Sequence, residues 1–242
     1  MYKLQLDNNS IRCYNYKMYD IVFISYNEAY AEDNWNMLKS RFPTAKRVDG
    51  VKGIHQAHIK AAKKCFTKMI WVVDADAQIV DDFDFSYEVD KYSLDAVHVW
   101  RSRNPINSLE YGYGGIKLFP RNLTLKMDIT KTDMTTSISD KFNAMPEVSN
   151  ITAFNTDEYS TWRSAFRECA KLASKTIERQ NEEETNERLR IWTTVGKDKQ
   201  FGEYCIKGAI AGREFGLSSK PNLQLINDFD WLYERFSKNT VE

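Results

Sequence analysis

This chain has no excess of charge of either sign. Its 242 residues hold 34 Lys+Arg against 34 Asp+Glu, so the formal net charge is zero. That balance removes the global basic signal of a protein that coats nucleic acid, while leaving room for a local patch. Cysteine is scarce and scattered. Cys13, Cys65, Cys169 and Cys205 form no Cys-x-x-Cys pair and no dense framework. They read as reduced thiols of a cytosolic protein, not as a disulfide scaffold. On that reading the Asn-x-Ser/Thr matches at Asn8, Asn122 and Asn150 are chance.

Long apolar runs are also missing. The longest, near residue 70, falls far short of the roughly 20 residues of a membrane-spanning helix. The first residues, Met1-Tyr2-Lys3-Leu4-Gln5, are polar and carry no signal-peptide core. The expectation is a soluble cytoplasmic protein with no membrane partner. There is no internal repeat and no low-complexity segment. Histidine is confined to His55, His58 and His98. His55 and His58 are three apart, with no Cys or Glu to complete a zinc set, which argues against zinc.

What is present fits one α/β domain. A hydrophobic fraction of 42% and an aromatic fraction of 13% supply enough apolar surface for a sizeable core. Asp20 to Ser25 reads as a first strand, followed by the polar stretch Tyr26-Asn27-Glu28. A helix is expected from near Asp33, with Trp35, Leu38 and Phe42 at helical spacing and Pro43 ending it. Ala45 to Asp49 reads as a second strand, and Asp49-Gly50 has turn chemistry. A second helix follows Lys52-Gly53-Ile54-His55. Its stripe is Ile59, Ala62 and Phe66, with Lys60, Lys63, Lys64 and Lys68 on wetter sides.

The most informative element comes next. The run Met69-Ile70-Trp71-Val72-Val73 reads as a buried strand, and it ends in Asp74-Ala75-Asp76. Carboxylates two residues apart on an extended chain point to one side. At the rim of a buried strand they repel each other and lose hydration unless a cation balances them. Hard oxygen ligands suit Mg²⁺ or Mn²⁺, and such an ion commonly takes a diphosphate as a further ligand. A plain turn after a strand accounts for the tripeptide equally well. The acids Asp81, Asp82 and Asp84 read as turn caps or solvent-facing groups.

Further strands are expected at Ala96 to Trp100 and Ile116 to Pro120, with Arg101, Arg103 and the glycine-rich Tyr111-Gly112-Tyr113-Gly114-Gly115 between them. Residues 121–150 are polar and show no clear helix or strand through most of their length. An amphipathic helix carries Trp162, Ala165, Phe166, Cys169, Leu172, Ala173 and Ile177. The segment from Glu178 to Arg190 reads as a solvated helix or loop, and Ile191 to Val195 as a strand. A helix from about Glu203 to Gly216 has Gly208 and Gly212 for close packing. A closing amphipathic helix uses Phe229, Leu232 and Phe236.

The ordered set from residue 20 to about 120, with weaker matches to about 215, resembles the GT-A type of glycosyltransferase, especially the family-2-like branch. The resemblance implies a single GT-A-like domain with a mixed central sheet and flanking helices. About 20–120 would bind the nucleotide-sugar, and about 121–242 would face the acceptor. It implies that Asp74 and Asp76 hold Mn²⁺ or Mg²⁺ on the diphosphate of the donor. Ser25, Tyr26, Asn27, Glu28, Asp49, Lys52, Asp74, Gly114 and Gly115 become nucleotide-sugar contacts, with a UDP-sugar favoured. Many relatives place a metal-binding His late in the chain, and this chain has none there, so the third ligand is left open.

An inverting transfer needs a base for the acceptor hydroxyl. The family often supplies it from an acidic dipeptide at a helix start, which Asp157-Glu158 matches. Helix capping explains the same acids. Trp100, Arg101, Arg103, Tyr111 and Tyr113 are candidate acceptor contacts through stacking and cationic groups. The texture of the chain also resembles glycosyltransferase-like proteins of tailed phages. That implies hydroxymethylated bases of phage DNA among the acceptors, with host cytoplasm as the setting. A nucleotidyltransferase with paired acids, or a non-catalytic nucleotide-binding phage protein, are the alternatives.

Overall fold

The computed structural model describes residues 18–112, 114–175, 181–218 and 222–240. It begins with alternating strands and helices: β1 (Asp20–Ser25), α1 (Ala31–Arg41), β2 (Lys46–Asp49), α2 (Ile54–Lys64) and β3 (Met69–Asp74). β1 runs parallel to β2 on one side and to β3 on the other. Met69 to Val73 are all fully buried, as an unbroken apolar run in a strand covered on both faces should be.

The remaining strands are β4 (Ala77–Ile79), β5 (Val97–Arg103), β6 (Glu110–Tyr111) and β7 (Ile116–Pro120), then β8 (Phe142–Thr152) after the short helices α3 (Arg121–Leu125) and α4 (Met134–Ile138). All eight strands share one sheet in the order β2-β1-β3-β7-β5-β8-β4, with β6 on β5. β7 is antiparallel to β3 and β5, and β8 is parallel to β5. The C-terminal ends of β1, β2, β3, β5 and β8 therefore lie along one sheet edge. This is the edge where open α/β sheets bind ligands. The mixed α/β class expected from the sequence is the one observed.

Alternation along the strands sorts the core into two faces. One face gathers Phe23, Trp71, Trp100, Phe83 and Phe85 beneath α1, and the other packs Val22, Ile70, Val72 and Phe119 against Ala61 and Ala62 of α2. Beyond the sheet come α5 (Glu158–Ala173), α6 (Glu182–Thr194), α7 (Gly202–Leu217), a 3-10 turn (Leu223–Asn227) and α8 (Phe229–Thr240). α7 lies unusually close to α5. A Cβ at Gly208 would collide with the Trp162 carbonyl, and one at Gly212 with the Phe166 carbonyl. The four-residue glycine spacing thus makes a groove for the α5 backbone, as the sequence suggested.

Several expectations need correction. Residues 121–150 are not structureless: they hold α3, α4 and most of β8. β8 starts largely exposed, includes Pro146, and pairs with β5 through register shifts. Without an apolar alternation the strand left no signal, and its pairing with β5 forms it. The supposed strand Ile191 to Val195 is the last turn of α6 with Val195 as its cap. Thr185, Leu189 and Trp192 are buried at helical spacing, which outweighs the β-branched residues. Phe66 lies beyond the end of α2 and is 84% exposed, with the Lys46 ammonium 4.7 Å from its ring centre. Ile177 lies outside the described residues. No described helix is long and apolar enough to cross a membrane.

Candidate active site

Asp74 ends β3, and Lys117 projects beside it from the neighbouring strand β7. Lys117 Nζ donates to Asp74 Oδ2 at 2.8 Å, and Asp74 N donates to the Gly115 carbonyl at 3.0 Å. Burial pushes the Asp74 carboxyl up, but the charges of Lys117 and His58 and the hydrogen bonds outweigh it and hold the group below the usual carboxylate range. Asp76 behaves oppositely. Burial, together with the neighbouring charges of Asp74 and Glu28, pushes its carboxyl up to about 7. The turn between them is pinned by Asn34 Nδ2 donating to the Ala75 carbonyl at 2.8 Å and by Ala153 N donating to the Asp76 carbonyl at 2.7 Å. The two acids of the tripeptide therefore have different environments: one is neutralised by the protein and the other is not.

Asp76 opens into a cleft of about 170 Å³ at the sheet edge. Tyr26, Asn27 and Glu28 line it from the β1–α1 loop, Phe154 and Asp157 from the segment after β8, and Ser160 and Arg163 from α5. Phe229, at the start of α8, closes another side. Asp157 is the N-cap of α5 and accepts from Ser160 N at 2.7 Å and from Thr156 Oγ1 at 3.1 Å. Burial raises its carboxyl, but the Ser160 and Thr156 hydrogen bonds and the Arg163 charge bring it below the ordinary value. Asp157 thus presents a carboxylate at neutral pH. Its neighbour Glu158 is exposed and does not line the cleft. It bonds the Tyr204 hydroxyl instead, which pushes that phenol up.

Two arginines of α5 that no sequence motif singles out stand beside these acids. Arg163 lines the cleft, with its guanidinium 4.5 Å from the Phe229 ring centre and 5.2 Å from that of Tyr159. Arg167, one turn on, donates from Nε to the Ile226 carbonyl at 2.7 Å and from Nη2 to Asn227 Oδ1 at 3.0 Å. Burial and the Arg163 charge lower Arg167 to about 10, against the pull of Glu168, Asp76 and Asp74. The available signal was the polar face of α5. Asp157, Ser160, Arg163, Ser164 and Arg167 repeat at helical spacing opposite the apolar stripe already recognised.

A second polar cluster closes the β1–β2 side of the edge. Ser25 faces Asp49 in the strand register, and its Oγ donates to Asp49 Oδ1 at 2.6 Å. Arg47 Nε donates to Ser25 Oγ at 2.9 Å and its guanidinium pairs with Glu32 at 2.6 Å. Ser25 and Asp49, each a candidate nucleotide contact in the sequence, thus bond each other directly, and Arg47, which no motif singled out, braces the pair. Lys52 is exposed in the β2–α2 loop and does not line the cleft. Gly114 and Gly115 lead into β7. Gly115 has φ +80° and faces the Asn150 side chain so closely that any Cβ would collide, so both its conformation and its surroundings call for glycine.

The residues expected to form an acceptor platform are not brought together. Trp100 is fully buried in the core, with its ring centre 4.5 Å from that of Trp71. Strand alternation sends it and the exposed Arg101 to opposite faces. Arg103 is exposed and pairs with Glu110 at 2.7 Å. Tyr111 is buried; its hydroxyl donates to Glu168 Oε1 at 2.9 Å and accepts from Trp192 Nε1 at 2.8 Å. Tyr113 lies outside the described residues.

The donor set bears on a divalent cation in two ways. Among the described residues, no group of three His, Cys, Asp or Glu side chains is arranged to hold a metal, and Asp74 already has a cation in Lys117. Asp76 is the carboxylate left uncompensated, with Glu28 near enough to add to its repulsion. An ion bound here would be held through Asp76, with its remaining positions filled by ligand oxygens and water.

No protein-family model matches this chain, and no curated protein matches it. Among solved structures, one similar chain is a mannosyltransferase from Pyrobaculum calidifontis in complex with GDP-mannose and Mn²⁺. It is 11% identical over 93% of this chain and 84% of that one, with a TM-score of 0.45.

Proposed function

We propose that this protein is a GT-A-like glycosyltransferase that moves a sugar from a nucleoside-diphosphate donor to an acceptor hydroxyl. The observation that carries the proposal is the meeting of Asp76 and Asp157 in one cleft at the C-terminal edge of the sheet. They come from segments about eighty residues apart, and each has its own electrostatic setting. The Ser25–Arg47–Asp49 cluster offers hydroxyl, guanidinium and carboxylate groups for a ribose or base at the ends of β1 and β2. Tyr26 and Asn27 extend that surface towards the cleft. Asp157 is placed to take the proton of the attacking hydroxyl, which is the arrangement of an inverting transfer. Asp74, fixed by Lys117, holds the turn that presents Asp76.

A Mn²⁺ or Mg²⁺ ion held through Asp76 would neutralise the charge that builds on the departing diphosphate. A UDP-sugar is the first donor to test. Exposed Arg101 and Arg103 are what remains in favour of a DNA acceptor, so hydroxymethylated DNA belongs in the acceptor panel, where a gain of one sugar mass is the supporting result.

The test is thermal unfolding with a panel of nucleotide-sugars and Mn²⁺. A ligand that binds only the folded state raises the melting temperature, by an amount set by its concentration over Kd. One or more donors should raise it, and the Asp76→Asn variant should lose part of that rise. If no nucleotide-sugar shifts the transition at millimolar concentration, the proposal fails. If nucleoside triphosphates shift it and nucleotide-sugars do not, the nucleotidyltransferase alternative takes its place.

A further inference from the structure

Two guanidinium groups at this cleft have no carboxylate at ion-pair distance among the described residues. Thirty-four acids are spread through the chain, and other half-buried arginines do find them: Arg47 pairs with Glu32 and Arg188 with Glu184. Arg163 instead stacks on Phe229 and Tyr159, and its Nε is buried with no hydrogen-bond partner. Arg167 spends its donors on a carbonyl and an amide oxygen, both neutral. Keeping two cations close together and away from water is costly unless an anion joins them. Aromatic faces can hold a guanidinium in place without cancelling its charge. Beyond its bond to Tyr159, the planar donor fork of Arg163 keeps an unpartnered Nε, and phosphate oxygens match the geometry of such a fork.

We propose that Arg163 and Arg167 of α5 form a protein-borne seat for the diphosphate of the donor, so that nucleoside diphosphates bind this cleft without a divalent cation. The inference rests on the donor reading above and adds to it the group that carries the negative charge. Arg163 makes the direct contact, because it lines the cleft beside Asp157 and Ser160. Arg167 stands one turn behind and supplies long-range positive potential. Such a seat divides the charge of the leaving group between protein and ion, which accounts for a metal site with so few protein ligands.

Titration calorimetry with inorganic pyrophosphate, UDP and GDP, in EDTA and then in Mn²⁺, tests the seat. Wild-type protein should bind at least one of these probes in EDTA. Arg163→Gln should weaken that binding by at least about tenfold, the loss of one charged hydrogen bond, and Arg163→Lys should retain more of it. Melting temperatures of both variants show whether the packing on Phe229 survives. If a folded Arg163→Gln variant binds in EDTA as tightly as wild type, the seat is wrong. It is also wrong if wild type binds these probes only in Mn²⁺, although the donor reading would stand. If no probe binds in either condition while nucleotide-sugars also leave the melting temperature unmoved, both readings fall.

Discussion

Lys117 on β7 holds Asp74 on β3 at 2.8 Å, and this one ion pair divides the Asp-Ala-Asp tripeptide into two unlike acids. Adjacent antiparallel strands set the pairing: Lys117 is opposite Val72 in the register, and its long side chain reaches along the sheet to the strand end. Asp74 is therefore held within the scaffold of the edge, while Asp76 is the acid proposed to act there. Asp76→Asn should keep the fold and leave the melting temperature equal or higher, because it removes a carboxylate that suffers burial and the repulsion of Asp74 and Glu28. Lys117→Met should lower the melting temperature, because it leaves a half-buried Asp74 unpaired. Unfolding of the two variants side by side checks the division; equal losses in both would contradict it.

The α5–α7 contact predicts a large effect from a single methyl group. Gly212→Ala places its Cβ against the Phe166 carbonyl, where backbone must move to make room. The expected loss is about 1–3 kcal/mol, typical of overpacking. At this chain length that is a fall of about 2–4 °C in melting temperature for each kcal/mol. Gly50→Ala is the comparison. It has φ +66° but nothing within 4 Å of the added Cβ, so only backbone strain opposes it. A Gly212→Ala protein as stable as wild type would mean the helices are further apart than described.

Acid stability should depend on Asp20. Burial raises its carboxyl, but the Lys46 pair at 2.6 Å and the Phe66 and Thr67 amides hold it below the ordinary value. A depressed folded pKa means the unfolded chain binds the proton more readily. The stabilisation is therefore fully present above the unfolded value of about 3.9 and is lost as pH falls through the folded one. Asp20→Asn should destabilise the protein at neutral pH and flatten the pH dependence of unfolding below about pH 4. Denaturation at pH 7 and at pH 3 gives the difference; a variant with the same loss at both would contradict the linkage.

The parts of the fold that could be read from the sequence were those with a strong local pattern. β1 and β3 announced themselves as unbroken apolar runs, and α5 and α8 as amphipathic stripes. The tripeptide and Asp157 stood out as candidates because each is tied to the end of such an element; the Ser25–Asp49 bond did not, because it depends on the pairing of β1 with β2. β8 was not, because its exposed first half has no apolar alternation and it takes shape only against β5. The acceptor platform misled for a related reason. Trp100 and Tyr111 read as ligand-stacking aromatics, but an isolated aromatic looks the same whether it faces solvent or an interior, which is Trp71 for Trp100 and the Glu168–Trp192 pair for Tyr111. Arg163 and Arg167 were hidden inside a helix recognised only for its apolar face. Their importance depends on the cleft that α5 makes with the β3–β4 turn, and no local pattern reports that contact.

Sugar transfer at the cleft shared by Asp76 and Asp157 is tested by product release from nucleotide-sugars in Mn²⁺, by wild type and by Asp157→Asn. The asparagine keeps the size of the side chain and still caps a helix, so the melting temperature should change little. Wild type should release a nucleoside diphosphate, and the variant should do so at least about 10²-fold more slowly, with donor affinity little altered. Release of pyrophosphate, release of neither product from any donor, or near-normal turnover by a folded Asp157→Asn variant would contradict the account.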